Sequence, residues 1–271
     1  MPEYCDQYDS IADLAAAAKP HVISGTFPPN GLNRKFYGVD TWQEAETLSV
    51  NGWDDESAAA MSVAQSAIET VSKEHDMPAF SMRWDVSGCE VDVARYLSGE
   101  PENMIDYDLV PSTRFGRVIV LCASIAVSSA ISVTTIKRRG QSITALALAL
   151  NALGYATEIW ADSSTGGSDN HIGRSRTLVK GANDELDAAR IMFAFSHPTF
   201  ARVLALATMH EFPKSFHRPL NVGSSYGTPV DAKKDLPDGT IYLPCLRSNR
   251  DVPDADVALL GYLRELGIVQ D

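Results

Sequence analysis

The chain has 271 residues, 45% of them hydrophobic, and a formal net charge of −12. That is enough for one large domain, or for a core with an appended subdomain. No apolar run reaches the roughly 20 residues that span a bilayer. The opening Met1-Pro2-Glu3-Tyr4 has no basic stretch leading into an apolar one, so neither a membrane protein nor a secreted one is expected.

The first third reads as helices joined by short loops. Ser10 caps a helix from Ile11 to Ala18 that stops before Pro20, and residues 20–40 read as irregular. Thr41 with Glu44 forms a capping box for a helix toward Val50, stopped by Asn51-Gly52. Asp54 or Asp55 opens a longer helix to about Lys73, with Ala58, Met61, Ala64, Ile68 and Val71 at helical spacing. A strand over Ala79–Trp84 and a turn of helix near Arg95-Tyr96-Leu97 follow. The pattern changes at Pro111-Ser112, which divides an acidic helical region with short strands (1–111) from an α/β domain (112–271).

Beyond that boundary strands and helices alternate. Arg117–Cys122 is a nearly continuous apolar run, as in a strand buried on both faces. A small-residue loop spans 123–135, a helix runs from about Ile136 to Leu153, and a strand covers Ala156–Ala161. A loop over 162–170 leads to a strand, Ser175–Lys180, that pairs antiparallel with the preceding one. Asn183 caps a helix through Met192, and His197-Pro198 opens another carrying Phe200, Val203, Leu204, Leu206 and Met209. A strand at Thr240–Leu243 and a helix at Ala255–Leu266 close the chain. This order predicts a mostly parallel, Rossmann-like sheet with helices on both faces, whose ligands gather at the carboxyl ends of its strands.

Charge is divided unevenly. Residues 1–111 hold 20 acids against 6 Lys and Arg, whereas residues 112–180 hold 8 Lys and Arg against 3 acids. Ser124, Ser128 and Ser129 lie in the loop after the first buried strand, and Lys137, Arg138 and Arg139 follow at the start of the next helix. Amides at a helix N-terminus with adjacent guanidinium groups suit a phosphate or a nucleic-acid backbone. Arg174 and Arg176, on one side of a strand, extend the same basic face. The rival reading is a close-packed loop with solubilising charges.

Trp42, Trp53, Trp84 and Tyr96 are core residues or stacking platforms. His197, His210 and His217 match no zinc spacing. Cysteines 5, 89, 122 and 245 share no metal or redox spacing, so reduced thiols and a cytoplasmic location are expected, with no disulfide, metal or cofactor. No GxSxG elbow and no P-loop is present.

Three stretches, Arg117–Ala126, Arg138–Leu146 and Gly154–Trp160, resemble a von Willebrand factor A-type domain in their order of elements. With Trp84–Leu97 and Ala194–Pro198 they also resemble an uncharacterised family of bacteriophages and actinobacteria. Metal-binding A-type domains end the first strand in Asp-x-Ser-x-Ser, and the matching positions here are Cys122, Ser124 and Ala126, so no such cation site is expected. The resemblance implies a non-enzymatic accessory protein in the bacterial host cytoplasm. It would recruit a protein partner or single-stranded nucleic acid in phage transcription or replication. The alternatives are a scaffolding subunit for an ATPase or polymerase, and an enzyme acting on a phosphorylated ligand at the basic loop.

Overall fold

A computed structural model describes residues 2–20, 32–55, 57–74, 81–88, 90–108, 118–231, 235–250, 252 and 255–265. Strand β1 (Glu3–Tyr8) comes first and was not expected from the sequence. Helix α1 (Ile11–Ala17) follows, its cap Ser10 accepting from the Asp13 amide as predicted. The four-residue α2 (Arg34–Tyr37) ends at Gly38 in the left-handed region. Thr41 caps α3 (Trp42–Asn51) by accepting from the Glu44 amide, while the Glu44 carboxylate accepts from the Asp40 amide. Gly52 (φ 73°) stops α3, and α4 (Ser57–Glu74) follows.

A small antiparallel sheet comes next, built of β2 (Ser81–Asp85), β3 (Glu90–Val91) and β4 (Met104–Asp108) in the order β2-β4-β3. Helix α5 (Val93–Leu97) lies between its last two strands. Cys89 and the Pro111-Ser112 boundary lie outside the described residues.

The main sheet contains β5 (Val118–Ser124), β6 (Ala156–Gly166), β7 (Ile172–Lys180), β8 (Thr228–Pro229) and β9 (Ile241–Leu243), together with β1. Its order is β1-β7-β6-β5-β9, with β8 paired to β6. Between β5 and β6 lies α6 (Val133–Ala152). After β7 come α7 (Ala188–Ser196), a π-helical turn (Phe200–Ala205), α8 (Leu206–Thr208) and α9 (Lys214–His217). Helix α10 (Ala255–Glu265) follows β9.

The sheet is mixed, with parallel and antiparallel pairs. β5 runs parallel to β6 and β9, and β1 runs parallel to β7, but β6 and β7 pair antiparallel. That antiparallel pairing was legible from the sequence. Strand β6 continues to Gly166 where a loop was expected from residue 162, because Asp162, Ser163, Ser164 and Thr165 are buried polar residues that mimic a loop in composition. Asp187, not Asn183, caps α7.

One continuous core joins the strands to the helices. Leu121, Ala123, Ile159, Ala161 and Val179 pack with Ile143, Leu146 and Leu150 of α6, Ile191 and Phe195 of α7, and Leu259 and Leu263 of α10. Ile11, Leu14, Ala45 and Ala64 of the acidic first third belong to the same cluster. These strand residues alternate with Cys122, Asp162, Arg174 and Arg176, whose side chains point to the opposite face. Helices α6 and α7 cross closely at Gly140, where an added Cβ would come within 2.5 Å of the Phe195 carbonyl carbon and strike the Ser196 hydroxyl.

Candidate anion-binding cleft

Strands β5 and β6 are parallel, so their carboxyl ends share one rim of the sheet. A cleft of about 250 Å³ opens there, at the place where open α/β sheets hold ligands. Its floor is Ile125, Ala126 and Val127 leaving β5, with Ser163 and Thr165 of β6, two positions apart and therefore on one face. Phe36 and Tyr37 of α2 form one wall, and Ala201, Arg202 and Leu206 another. Ser224, Ser225, Tyr226, Gly227 and Pro229 close the far side.

Arg202 is the only charged side chain among the described lining residues. It sits in the π-helical turn, a distortion that recurs at functional sites because it re-aims side chains. Its guanidinium is buried. One Nη donates to the Phe36 carbonyl at 3.0 Å and the other to the Ile131 carbonyl at 2.7 Å, and the group lies 4.1 Å over the Phe36 ring. No carboxylate pairs with it among the described residues. Burial pushes its pKa down, but an arginine this far above neutrality keeps its charge. Carbonyls and a ring face offset only part of the desolvation of a buried cation.

Two further features mark the same cleft. Thr165 is buried and its hydroxyl oxygen has no hydrogen-bond partner, an exception among buried polar groups. Tyr226 holds φ at 56°, a costly conformation for a bulky residue, with its hydroxyl 3.0 Å from His210 Nε2. Gly227 follows at φ 73°, where a Cβ would stand 2.6 Å from the Gly166 carbonyl oxygen. The closing loop is thus folded tightly onto the end of β6.

Of the residues proposed from the sequence to bind an anion or a partner, Ser129 alone lines this cleft. Ser124 is buried, and its hydroxyl accepts from the Ala126 amide at 3.3 Å. Ser128 accepts from the Ala130 amide. Helix α6 starts at Val133, so Lys137, Arg138 and Arg139 fall beyond its first turn. That N-terminus is occupied: Ser132 accepts from the Thr135 amide, and the Asn249 side chain accepts from the Ser132 amide at 2.8 Å. Lys137 lies 5.3 Å over the Trp53 ring, and Arg138 is half-buried.

The expected basic face is therefore not assembled. Arg139 is buried and donates to the Pro244 carbonyl beyond β9. Arg174 and Arg176 are buried on the other face of the sheet. Arg174 pairs with Asp235 at 2.6 Å and Glu3 at 3.7 Å, and Arg176 pairs with Asp162 at 3.2 Å. Asp162 also accepts from Ser164, and burial raises its pKa.

His197 ends α7 between Trp53 and Phe193, and its Nδ1 accepts from the Thr199 amide at 3.4 Å. Burial pushes its pKa down to about 4, so it is neutral. His217 bonds the Phe212 carbonyl. Cys5, Cys122 and Cys245 are free thiols. Among the described residues no group of three or more His, Cys, Asp or Glu could hold a metal ion, and no single helix is long and apolar enough to cross a membrane.

Sequence reasoning missed Arg202, Thr165 and the aromatic pair of α2. The available signal was an arginine inside the apolar run Phe200–Ala205, where a charge is out of place unless it is used. The family model described as a domain of unknown function, DUF7192, matches residues 2–270. No curated protein and no solved structure matches the chain.

Proposed function

Because the chain belongs to the DUF7192 family, whose description names no activity, we propose its function from the cleft: it is a non-enzymatic binding protein for a small anion. The observation that carries this reading is the buried Arg202 guanidinium, facing an open cleft with no carboxylate among its described partners. A phosphate or carboxylate group would take the guanidinium's remaining N–H donors in charge-assisted hydrogen bonds. The serine and threonine hydroxyls around it would hold the polar body of the same ligand. The described lining has no carboxylate, imidazole or thiol to move a proton or attack a carbon, which favours holding over turnover.

The order β5-α6-β6, with a cleft at the strand ends, supports the A-type reading of the architecture. Single-stranded nucleic acid fits less well, because it needs an exposed track of cations and Arg139, Arg174 and Arg176 are bonded inward. In the accessory role implied by the phage-family resemblance, the anion would be the signal the protein reads.

Thermal unfolding in rising concentrations of inorganic phosphate, ribose 5-phosphate and citrate tests the proposal. At least one should raise the midpoint as its concentration increases, reflecting a gain in stability of about 2.7 kcal/mol at a hundredfold excess over Kd. Arg202→Met should abolish that shift. Thr165→Val should leave the unliganded protein as stable or slightly more so, since it removes an unsatisfied buried hydroxyl, yet weaken the shift. No response to any of the three anions, or an unchanged response in Arg202→Met, defeats the reading.

A further inference from the structure

Helix α5 is amphipathic the wrong way round. Its polar residues are tied to its own cap and to β2: Asp92 accepts from the Ala94 and Arg95 amides at 3.1 and 3.2 Å and from Trp84 Nε1 at 3.1 Å. Arg95 stacks 4.4 Å over the Trp84 ring and donates to the Glu102 carbonyl at 3.1 Å. These bonds prevent the helix from rolling over. Val93, Tyr96 and Leu97, at i, i+3 and i+4, therefore point outward and are 64%, 63% and 78% exposed. Val86 and Val91, close to them in the chain, are 67% and 44% exposed. Five of the nine exposed large apolar side chains among the described residues thus fall between positions 86 and 97. A cluster of this kind marks an interaction surface, whereas scattered exposed apolar residues do not.

Charge selects the partner. Residues 81–108 carry seven acids against two arginines, and Glu90, Glu100 and Glu102, in the segments flanking α5, are exposed. A second copy would bring the same acids face to face, and an anionic membrane or nucleic acid would be repelled. We propose that α5 and its flanking strands dock a protein segment whose apolar stripe is rimmed by lysine and arginine. Leu97 and Tyr96 would be the anchors, and the acids would supply steering and register. This surface is distinct from the Arg202 cleft, so either proposal can fail without the other.

The probe is a synthetic helical peptide with leucine on one face and lysine on the other, titrated into the full chain by fluorescence anisotropy. Two comparison peptides replace leucine by serine, or lysine by glutamate. The leucine–lysine peptide should bind at least about tenfold tighter than either. Val93→Ser/Leu97→Ser should lose the preference for the leucine peptide over the serine peptide while keeping the wild-type circular dichroism and melting midpoint, because both side chains are exposed. Equal binding of the serine peptide, or unchanged binding by the double variant, overturns the proposal. So does wild-type self-association in sedimentation that the variant abolishes, which would assign the patch to a second copy. If the variant loses its fold, Tyr96→Ser supplies the same comparison.

Discussion

Among the described residues four arginines are buried, and their partners sort them. Arg174 and Arg176 lie in a network with Asp235, Glu3 and Asp162, and that network neutralises them. Arg139 and Arg202 meet carbonyls instead. Arg139 borders a space of about 10 Å³, too small for a ligand, whereas Arg202 borders one of about 250 Å³. The sequence placed Arg139, Arg174 and Arg176 on one basic face and passed over Arg202, because spacing does not report which arginine has an acid in reach.

His197 supports a pH prediction at the same scale. Burial, then the Arg34 charge, lower its pKa from 6.5 to about 4 in the folded chain, so the unfolded chain binds its proton more readily. Its contribution to stability is complete above about pH 6.5 and is lost as pH falls toward 4, at up to about 1.4 kcal/mol per pH unit. Asp162 acts with the opposite sign: its raised folded pKa makes its contribution largest at low pH and smaller as pH rises above 3.8. In urea titrations His197→Gln should flatten the rise of stability between pH 4 and 6.5, leaving the contribution of Asp162. An unchanged slope would show that the imidazole is not held neutral.

At the scale of elements, the first helix caps were legible, although α7 is capped by Asp187 and not by Asn183. Ser10 and Thr41 bond the amides predicted for them, since a cap depends on residues three apart in the chain. Strand ends were less legible, and β6 shows why. Its polar run Asp162–Thr165 is buried by ion pairing and by the cleft, which no local pattern announces. The α6–α7 crossing gives a test. Gly140→Ala improves intrinsic helix propensity by about 1 kcal/mol, yet its Cβ would overlap the Ser196 hydroxyl and the backbone of α7. A net loss of about 1–3 kcal/mol is expected in chemical denaturation, because overpacking forces helices apart. A neutral or stabilising result would mean the helices do not approach this closely.

For the whole molecule, β1 ties the two ends of the sequence argument together. It lies in the acidic first third but pairs in parallel with β7 from Glu3 to Tyr8, and Glu3 reaches Arg174. Deleting residues 2–9 should lower the melting midpoint by at least about 5 °C and promote association, since it exposes the β7 edge and removes an acid beside a buried cation. An unchanged midpoint would make β1 an accessory strand.

The sequence by itself determined the α/β class, most helices, the β5-α6-β6 unit and the antiparallel β6–β7 pair. Each is written in local periodicity, caps or residue type, which act over one to four positions. Tertiary structure alone decided that β1 joins the sheet, that Arg139, Arg174 and Arg176 turn inward, and that Arg202 and Thr165 meet at one cleft. Those facts depend on contacts between segments tens of residues apart, where burial and charge pairing, not chain-neighbour preference, set the energy.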